Sequence, residues 1–553
     1  MENFKLRHYE SKDYIYAVGL NKIHIKLEVL FGEVDSISIK YWKRFREEES
    51  VLLELDNYSF DKKSPYFDVF IESKEQFRYL NYVFLIVSKG KKYFYSKDGV
   101  SNDFPLRFFE FQYVNKDDII DSLDVFKGRV GYHIFVDRFY REGNVSGNKK
   151  IVEWDESPTR DNVFGGNFLG VFNKLDYLKD LGISLIIFMP IFKAASNHKY
   201  DTIDYFEVDP SYGTKEDLKK LISKAHELDI KIVFDGVFNH IGYYSEQFLD
   251  AKENKEKSKY FSWFSFVNDG EIEHDYLAVG DYKWMPKLNY QSLELRQFII
   301  KVGRYWIDSF DIDGWRLDVF DEIEESFRNE FSKEIKKSKK DLLLIGETWH
   351  DGYELLSSKQ VHSVMNYLYR NYILDYFIDC RISENEFLNK LQWLSFRYPK
   401  PLLETMYNLL GSHDTERIMT RAKEDMSKII QVYAFLILSL GIPVIYYGDE
   451  LGMIGEVDPG CRKAMEWDRV GNNIYLKIKE LIKYRNDNEA IRFGDIKYLV
   501  VDNCFGFIRV FGNEKILVLF NTLDESIEVS LEDIFVKRKV VVEKNGYSCI
   551  KLY

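Results

Sequence analysis

The sequence predicts an α/β protein built on a (β/α)8 TIM barrel, with an antiparallel β-sandwich on each side of it along the chain. Short segments that alternate apolar and polar positions fill residues 1–120, and they return from about residue 490. Between them, apolar strands alternate with amphipathic helices, the pattern of βα units around a parallel sheet. A chain of 553 residues suits two to four domains, and we place them at 1–122, 123–489 and 490–553.

Both predicted sandwiches rest on strands with a period of two, in which alternate side chains face a core. The N-terminal candidates are IHIKLEVL, VDSISIKYW, YFDVFIES, NYVFLIVS and RFFEFQYV. The C-terminal candidates are IKYLVV, FGFIRVF, KILVLFN, SIEVSL and KVVVEK.

The barrel is predicted from eight strand candidates, each followed by helical or loop sequence. In the clearest unit, LIIFMP precedes a helix in which Thr214 and Asp217 form a capping-box signature. Eight units over about 350 residues favour a closed barrel over an open sheet. The candidates are GYHIFVD (131–137), LIIFMP (185–190), IKIVFD (230–235), DGWRLD (313–318), LLLIGE (342–347), VHSVMN (361–366), YNLLGSHD (407–414) and IPVIYYGD (442–449).

An insertion of residues 241–289 follows the third strand and is rich in aromatic residues, as in YFSWFSF. It is too long for an ordinary βα loop, so it is either a lid or a small subdomain.

Composition excludes several classes of function. A net charge of −13 without any compensating basic block excludes nucleic acid as a partner. Four cysteines without a CxxC motif or a His/Cys cluster indicate neither a disulfide framework nor a zinc site. The N-terminus lacks a signal-peptide pattern, and the apolar run at 432–447 is too short to cross a bilayer, so we expect a cytoplasmic protein without membrane contact.

Three acidic residues, Asp318, Glu347 and Asp414, each end a predicted strand. The carboxyl ends of barrel strands point into the active site, so position alone makes these residues candidates. The competing interpretation is that each one caps the helix after its strand.

Neighbouring residues suggest a different role for each acid. Arg316 lies two residues before Asp318, on the same face of the strand, and a cation there would keep the aspartate ionised as a nucleophile. Glu347 follows the apolar run LLLIG, which would raise its pKa and suit a general acid. His413 and Asn239–His240 would supply neutral donors for sugar hydroxyls.

Four segments resemble the conserved segments of the alpha-amylase family of glycoside hydrolases, in the family's order: VFDGVFNH (233–240), DGWRLDVF (313–320), LLIGETWHD (343–351) and NLLGSHDTER (408–417). MPKLN (285–289), SNHKYDTIDYFEVDPSYG (196–213) and the stretch from YYGDELGM to DPGCRKAMEWD (446–468) resemble the cyclomaltodextrinase, neopullulanase and maltogenic amylase branch. The resemblance covers nearly the whole chain. It implies a starch-binding-like N-terminal β-domain that contributes to dimerisation, and hence a homodimer.

The resemblance also implies a role for each candidate residue. Asp318 is expected as nucleophile, Glu347 as acid/base, and Asp414 as the residue that orients and strains the sugar. Tyr200 is expected to stack on the sugar, and the sugar is expected to form hydrogen bonds with His240, Arg316 and His413. Trp349 is expected on the leaving-group side. Asp458 and Arg462 are expected to bind the substrate from the loop after the eighth strand. Read without the family, Tyr200 would be a core residue of the barrel rim, and Asp458–Arg462 an ion pair that stabilises a loop.

The predicted function is hydrolysis of α-1,4 glucosidic bonds with retention, and of α-1,6 bonds as well, in maltooligosaccharides, cyclodextrins or pullulan. Paired carboxylates about 5–5.5 Å apart would form and then hydrolyse a covalent glucosyl-enzyme. One alternative is a transglycosylase or isomerase that uses the same intermediate. Another is a glycan-binding barrel without activity, which the presence of all three acids opposes.

Two departures from the family pattern affect these expectations. Asn144, Asn148 and Asn167 stand where some relatives place calcium ligands, and neutral amides bind calcium more weakly than carboxylates. We therefore expect weak or absent calcium binding and no required cofactor or metal. After the nucleophile the branch usually shows VANEV, whereas this chain has Val319, Phe320, Asp321, Glu322 and Ile323, and we expect a bulky Phe320 near the site entrance to narrow the choice of substrate.

Overall fold

The computed structural model describes residues 4–60, 62–143, 151–267, 275–280, 282–531 and 539–552. The chain forms two compact units. The flanking unit comprises Met1–Ser122, Ile382–Leu403 and Asp495–Tyr553, and the barrel unit comprises Leu123–Arg381 and Glu404–Gly494.

The N-terminal part of the flanking unit is made of two antiparallel sheets, as predicted. One sheet contains Lys5–Arg7, Ile15–Gly19, Lys22–Phe31, Asp56–Asn57 and Tyr66–Glu72. The other contains Ser36–Lys43, Val51–Glu54, Arg78–Ser88, Lys91–Ser96, Gly99–Ser101 and Phe109–Tyr113. Both sheets contribute buried side chains to one apolar core, including Ile25, Leu27, Ile39, Phe84 and Ile86. All five predicted strands are confirmed.

The C-terminal part contains a four-stranded antiparallel sheet and a separate hairpin. The sheet is formed by Asp495–Val501, Cys504–Phe511, Glu514–Asn521 and Gly546–Lys551, and the hairpin by Ile527–Ser530 and Lys539–Val542. Five of these strands were predicted. The last one, Gly546–Lys551, was missed because its mostly half-buried side chains give no alternating pattern.

The segment Ile382–Leu403 lies between barrel strands in sequence but packs in the flanking unit. It forms helices Glu384–Arg397 and Lys400–Leu403, and Phe396 of the first helix stacks on Tyr66, with ring centroids 4.7 Å apart. The alternation of strands and helices along the chain does not predict this placement.

A buried ionic cluster, the Asp68 cluster, connects this segment to the N-terminal sheets. Asp68 Oδ2 lies 2.9 Å from His24 Nε2 and 3.0 Å from Lys400 Nζ. Burial alone would raise the pKa of Asp68, but Lys400 and His24 outweigh it and hold that pKa well below its usual value. The carboxylate is therefore ionised and paired inside the unit.

The barrel unit contains eight parallel strands in one sheet, numbered here along the chain: β1 Gly131–Ile134, β2 Leu185–Phe188, β3 Lys231–Gly236, β4 Gly314–Leu317, β5 Leu343–Gly346, β6 Ser363–Val364, β7 Tyr407–Leu409 and β8 Ile442–Tyr446. Their spatial order is β6-β5-β4-β3-β2-β1-β8-β7. A parallel bridge from Met365 to Tyr407 joins β6 to β7 and closes the ring. All eight predicted strands and the barrel are confirmed.

Side chains from several strands fill the barrel interior, among them Leu185, Val233, Leu343, Leu409 and Val444, all of them fully buried. The helices of this unit are Val136–Phe139, Phe168–Asn173, Leu175–Leu181, Lys215–Glu227, Glu246–Asn254, Leu293–Phe310, Glu325–Ile335, Tyr353–Ser357, Tyr367–Ile373, Ile418–Arg421, Met426–Leu438, Asn473–Asp487 and Glu489–Phe493, with a π-helical turn at Leu374–Ile378. The helix Lys215–Glu227 begins with the predicted capping box of Thr214 and Asp217. Among the helices described, none has the length and apolar character needed to cross a membrane.

The insertion after β3 is a small subdomain. It contains the helix Glu246–Asn254 and the hairpin strands Ala278–Val279 and Tyr282–Pro286, packed around buried Phe248, Phe264 and Tyr276. A second hairpin, Phe192–Ala194 with Thr202–Val208, follows β2 and carries the loop that contains Tyr200.

Candidate active site

Two of the three predicted acids follow their strands directly, and the third lies a few residues further on. Asp318 comes after β4, Glu347 after β5, and Asp414 in the loop after β7. The short helices that follow are capped by other residues, so none of the three acids is an N-cap. The helix-cap interpretation is therefore wrong for all three.

Arg316 lies at the centre of the site and is fully buried. Its Nη1 donates to Asp318 Oδ1 at 2.8 Å and to Asp235 Oδ1 at 2.9 Å. Its Nη2 lies 2.6 Å from Glu347 Oε1. A single guanidinium thus contacts three buried carboxylates.

This arrangement corrects the expected role of Arg316. Burial raises the pKa of each of Asp235, Asp318 and Glu347 to about 7, and Arg316 opposes the rise in all three. Because one cation cannot balance three buried anions, the group retains a proton near neutral pH. Arg316 therefore does not by itself distinguish an ionised Asp318 from a protonated Glu347.

The hydrogen bonds differ among the three acids. Asp235 accepts from Arg316 and also from the Tyr200 hydroxyl at 3.0 Å, while Asp318 accepts from Arg316. Glu347 accepts from the backbone N–H of Val319 at 2.9 Å. The close Arg316 Nη2 makes no hydrogen bond with any described residue. Glu347 thus has one backbone donor and the 2.6 Å ion pair with Arg316, so its pKa, like those of Asp235 and Asp318, stays at about 7.

The backbone between the two acids is strained. Val319 adopts a left-handed conformation with φ 44° and ψ 45°, which is unfavourable for a β-branched residue. Its N–H is the donor to Glu347 Oε2, so this turn connects the residue after Asp318 to the second acid.

Asp414 is held in a different electrostatic environment. Its carboxylate oxygens lie 2.9 Å from His413 Nε2 and 3.2 Å from Arg462 Nη2. Burial alone would raise the pKa of Asp414, but His413 and Arg462, with Arg316 in a smaller role, lower it below its usual value. Asp414 is therefore ionised at neutral pH.

The predicted Asp458 and Arg462 form an ion pair, with Asp458 Oδ1 3.0 Å from Arg462 Nη1. The same arginine donates from Nε to the His413 carbonyl at 2.9 Å and contacts Asp414. The pair therefore stabilises the loop after β8, and Arg462 also connects that loop to Asp414.

Tyr200 lies among the acids and not in a separate rim core. Its hydroxyl contacts Asp235 and lies 2.7 Å from His413 Nε2, and its ring stacks on the His413 ring at 5.3 Å. His240 Nε2 contacts the Tyr200 carbonyl at 3.0 Å, and burial lowers the pKa of His240 to about 4, so this ring is neutral. In the described part of the chain, the Nδ1 atoms of His240 and His413 have no hydrogen-bond partner.

Trp349 lies at the edge of the site, half-exposed, and stacks on Tyr367 with ring centroids 3.9 Å apart. Phe320, by contrast, is only 1% exposed and lies beside Gly346 of β5. The turn at Val319 directs this ring into the protein. The expected position of Phe320 near the site entrance is therefore wrong.

Sequence reasoning missed two residues of this site. Asp235 is the next-to-last residue of β3 and the last residue of the predicted strand IKIVFD, so the rule used for the other acids would have found it. Tyr367 opens the helix after β6 and is visible only through its stacking on Trp349.

Of the three asparagines considered for calcium, Asn144 and Asn148 lie outside the described residues. The Asn167 side chain is engaged locally, because its oxygen accepts from Gly170 N at 2.8 Å and its NH2 donates to the Glu142 carbonyl at 2.8 Å. Among the residues that the structure describes, no group of three His, Cys, Asp or Glu side chains is placed to hold a metal ion.

Comparison with known proteins identifies the family. The Alpha amylase, catalytic domain family matches residues 133–494, well over half of the chain. The chain belongs to the alpha-amylase family. Residues 1–115 match the Alpha amylase, N-terminal ig-like domain family.

Relatives of similar length carry the names expected from the motifs. The chain is 35% identical to "Maltogenic alpha-amylase" of Bacillus acidopullulyticus, over 95% of this chain and 92% of the relative. It is 36% identical to "Cyclomaltodextrinase" of Geobacillus thermopakistaniensis (strain MAS1), over 96% and 93%. It is 32% identical to "Neopullulanase 2" of Thermoactinomyces vulgaris, over 95% and 92%.

Solved structures agree with the sequence comparison. A "Cyclomaltodextrinase" superposes with a TM-score of 0.90 at 29% identity, covering 99% of both chains. The "Cyclic alpha-maltosyl-(1-->6)-maltose hydrolase from Arthrobacter globiformis" superposes with a TM-score of 0.75 at 33% identity, covering 78% of this chain and 99% of the other. The predicted membership of the cyclomaltodextrinase, neopullulanase and maltogenic amylase branch is confirmed.

Proposed function

We propose that this protein is a retaining glycoside hydrolase of carbohydrate metabolism that cleaves α-1,4 glucosidic bonds, and α-1,6 bonds as well. Its substrates are maltooligosaccharides, cyclodextrins or pullulan. The observation that carries the proposal is the contact of Arg316 with both Asp318 and Glu347, which lie at the ends of adjacent barrel strands. The names of the relatives support the substrate class.

The mechanism assigns opposite protonation states to the two acids. Asp318, ionised, attacks the anomeric carbon while Glu347 gives its proton to the departing glycosidic oxygen, and a covalent glucosyl-enzyme forms. Glu347, now a carboxylate, takes a proton from water, and the resulting attack releases the sugar from Asp318. Two inversions give net retention.

The residues around the acids hold the sugar. Asp414, kept ionised by His413 and Arg462, accepts hydrogen bonds from sugar hydroxyls and orients the ring for attack. The unpartnered Nδ1 atoms of His240 and His413 supply further polar contacts. Tyr200 packs against the sugar at the cleavage point, Arg316 hydrogen-bonds it, and the half-exposed Trp349 contacts the leaving-group side. Asp458 and Arg462 bind it from the loop after β8.

We propose that no cofactor is required and that calcium binds weakly, in line with the local hydrogen bonds of Asn167. A melting temperature unchanged by a chelator is the expected result, and a strong decrease would contradict it.

A cytoplasmic location and a homodimer also belong to the proposal. "Intracellular maltogenic amylase" of Bacillus subtilis (strain 168), 32% identical over 97% of this chain, supports the location. Phe45 and Leu106 of the N-terminal domain, 92% and 93% exposed, are suited to a contact between protomers. We retain domain boundaries at 1–122, 123–489 and 490–553 along the sequence. A net charge of −13 disfavours nucleic acid as a binding partner.

Product analysis tests the proposed function. β-Cyclodextrin, pullulan and starch are incubated side by side with wild-type enzyme and with Asp318→Asn. Hydrolysis predicts maltose, glucose or panose from the wild type, with the α-anomer released first, and almost no product from the variant. Longer oligosaccharides would identify a transglycosylase and trehalose an isomerase. Full activity in a folded Asp318→Asn variant would refute the mechanism, and an inactive wild type would indicate a glycan-binding barrel.

A further inference from the structure

The inserted subdomain carries a pair of exposed aromatic rings that the catalytic mechanism does not use. Tyr244 and Trp284 are 51% and 46% exposed. Their rings stack nearly parallel, at an interplanar angle of 22° with centroids 5.9 Å apart. Large aromatic side chains are usually buried, so a flat pair that remains exposed on a folded subdomain indicates a binding surface.

Contacts with the neighbouring residues Tyr243 and Gly242 fix the position of this pair. Tyr243 N donates to the Trp284 carbonyl at 2.9 Å, and the Tyr243 ring makes edge contacts with both exposed rings. The next residue back, Gly242, donates to the Thr202 carbonyl at 2.7 Å. A side chain there would meet a backbone oxygen at 2.3 Å, so only glycine permits this close packing. The platform is therefore fixed before any ligand arrives.

A groove of about 730 Å³ begins at Tyr244 and lies between the helix Glu246–Asn254 and the hairpin strand Thr202–Val208, with Phe298 of the barrel helix Leu293–Phe310 in its wall. Phe206 and Phe298 provide apolar surface in it. Its polar lining consists of Lys193, Asp204, Glu246, Gln247, Asp250 and Glu253. The volume lies within the range of ligand-binding clefts.

One polar atom in this groove lacks a partner. Gln247 Oε1 is buried and accepts no hydrogen bond from the described residues. A buried acceptor without a donor is unfavourable, and the Gln247 amide would have to turn toward the groove before its oxygen could accept from a ligand hydroxyl.

The chemistry of the groove selects a neutral ligand rich in hydroxyl groups. Flat ring faces match the CH faces of a pyranose, and carboxylate and amide oxygens accept hydrogen bonds from its hydroxyls. Four carboxylates against one lysine disfavour an anion. A purely apolar ligand would leave these charged groups desolvated and unpaired.

We propose that the Tyr244–Trp284 platform and its groove form a second binding site for an α-glucan chain, distinct from the catalytic site. None of the ten predicted site residues is among those that line the groove. The identity of the sugar rests on the proposed function, whereas the existence of the site rests on the platform and groove. The site would hold one stretch of a polymer while another stretch enters the barrel.

The test measures binding separately from catalysis. The double variant Tyr244→Ala/Trp284→Ala is made in an Asp318→Asn background and run in native gels containing amylopectin. Loss of two stacking faces predicts an apparent affinity weaker by at least about fivefold. Phe511→Ala is the matched control, since Phe511 is an aromatic residue of similar exposure (42%) on a strand of the C-terminal sheet, and it should not change the retardation. The pair Tyr244→Phe/Trp284→Phe keeps flat faces and should keep most of the binding.

The same platform variants with Asp318 intact are then assayed on maltotriose, which is too short to occupy both sites. Unchanged kcat/KM on maltotriose, together with reduced retardation, supports the proposal. Unchanged retardation, or no retardation of the Asp318→Asn protein at all, would overturn it. An equal loss on maltotriose would also overturn it, by placing the platform in the catalytic site. If the wild-type protein is retarded by amylopectin but hydrolyses no substrate, the proposed hydrolysis is wrong and the second binding site is not.

Discussion

Replacing Asp235 with asparagine tests whether a third carboxylate sets the pH range of the enzyme. Asp235 Oδ1 and Asp318 Oδ1 lie 2.9 Å and 2.8 Å from the same Arg316 nitrogen. The two carboxylates are therefore within about 6 Å, where unit charges at an effective dielectric of about 20 interact by about 3 kcal/mol, or about 2 pH units. Asparagine keeps an oxygen that accepts from Arg316 but removes this repulsion.

The expected result is a lower pKa for Asp318. The pH profile of kcat/KM reports the pKa values of ionisable groups in the free enzyme. With maltotriose as substrate, the acidic limb of the Asp235→Asn profile should therefore lie about 1 to 2 pH units lower than that of the wild type. The sign follows from the charge, since losing a neighbouring anion makes ionisation of Asp318 easier. The assay is glucose and maltose release between pH 4 and 9.

Asp449→Asn is the matched control for this experiment. Asp449 is also a buried aspartate of the barrel unit, paired with Arg417 at 2.8 Å, and it belongs to no part of the proposed site. Its replacement should leave the pH profile in place. If Asp235→Asn left the acidic limb unmoved or shifted it upward, Asp235 would not carry a charge that acts on Asp318, and the electrostatic reasoning would be wrong.

Three further predictions address the acid, the sugar contacts and the fold. Glu347→Gln should lower kcat on maltotriose by about 10²- to 10⁴-fold. An aryl α-maltoside with an activated leaving group needs no proton donor, so it should still form the covalent intermediate. The pH profile of that burst, measured by stopped flow, should have no alkaline limb. Arg462→Met should raise the pKa of Asp414 and lower kcat/KM by about 10- to 100-fold. Asp458→Asn keeps Arg462, so it should lower kcat/KM by a smaller factor. Equal losses of kcat/KM in the two variants would contradict this ranking. Asp68→Asn should lower the stability of the flanking unit by about 1 to 3 kcal/mol, because it removes the buried carboxylate that pairs with His24 and with the half-buried Lys400. Since the folded pKa of Asp68 is depressed, its contribution is present above about pH 4 and is lost as the pH falls, which calorimetry across that range would show or refute.

The barrel was predictable because each of its strands is short, apolar and separated from the next by helical sequence. The rule that strand ends carry function then located Asp318 and Glu347 without any structure. The same rule applies to Asp235 at the end of IKIVFD, so the sequence also contains the information that places this residue in the site.

Other features depend on contacts between distant parts of the chain. The helices of Ile382–Leu403 resemble ordinary barrel helices in sequence, and long-range contacts such as Lys400 with Asp68 and Phe396 with Tyr66 explain their place in the flanking unit. Phe320 was misplaced because a sequence pattern does not reveal the left-handed Val319 that turns its ring inward. Backbone conformations of this kind are set by the surrounding structure and not by local preference.

The sequence explanation for the two catalytic roles was that Arg316 ionises one acid while apolar residues protonate the other. In the structure both acids are buried and both touch Arg316, so neither burial nor the cation separates them. The difference lies in directed hydrogen bonds. Asp318 receives a guanidinium N–H, whereas Glu347 receives one backbone N–H, from Val319, and no hydrogen bond from the Arg316 nitrogen beside it. Once the proton leaves Glu347 for the sugar, that same nitrogen, 2.6 Å away, stabilises the new carboxylate. The proposed mechanism places the shared proton of this group on Glu347 before the first step and leaves Glu347 ionised after it, as a residue that acts first as acid and then as base requires.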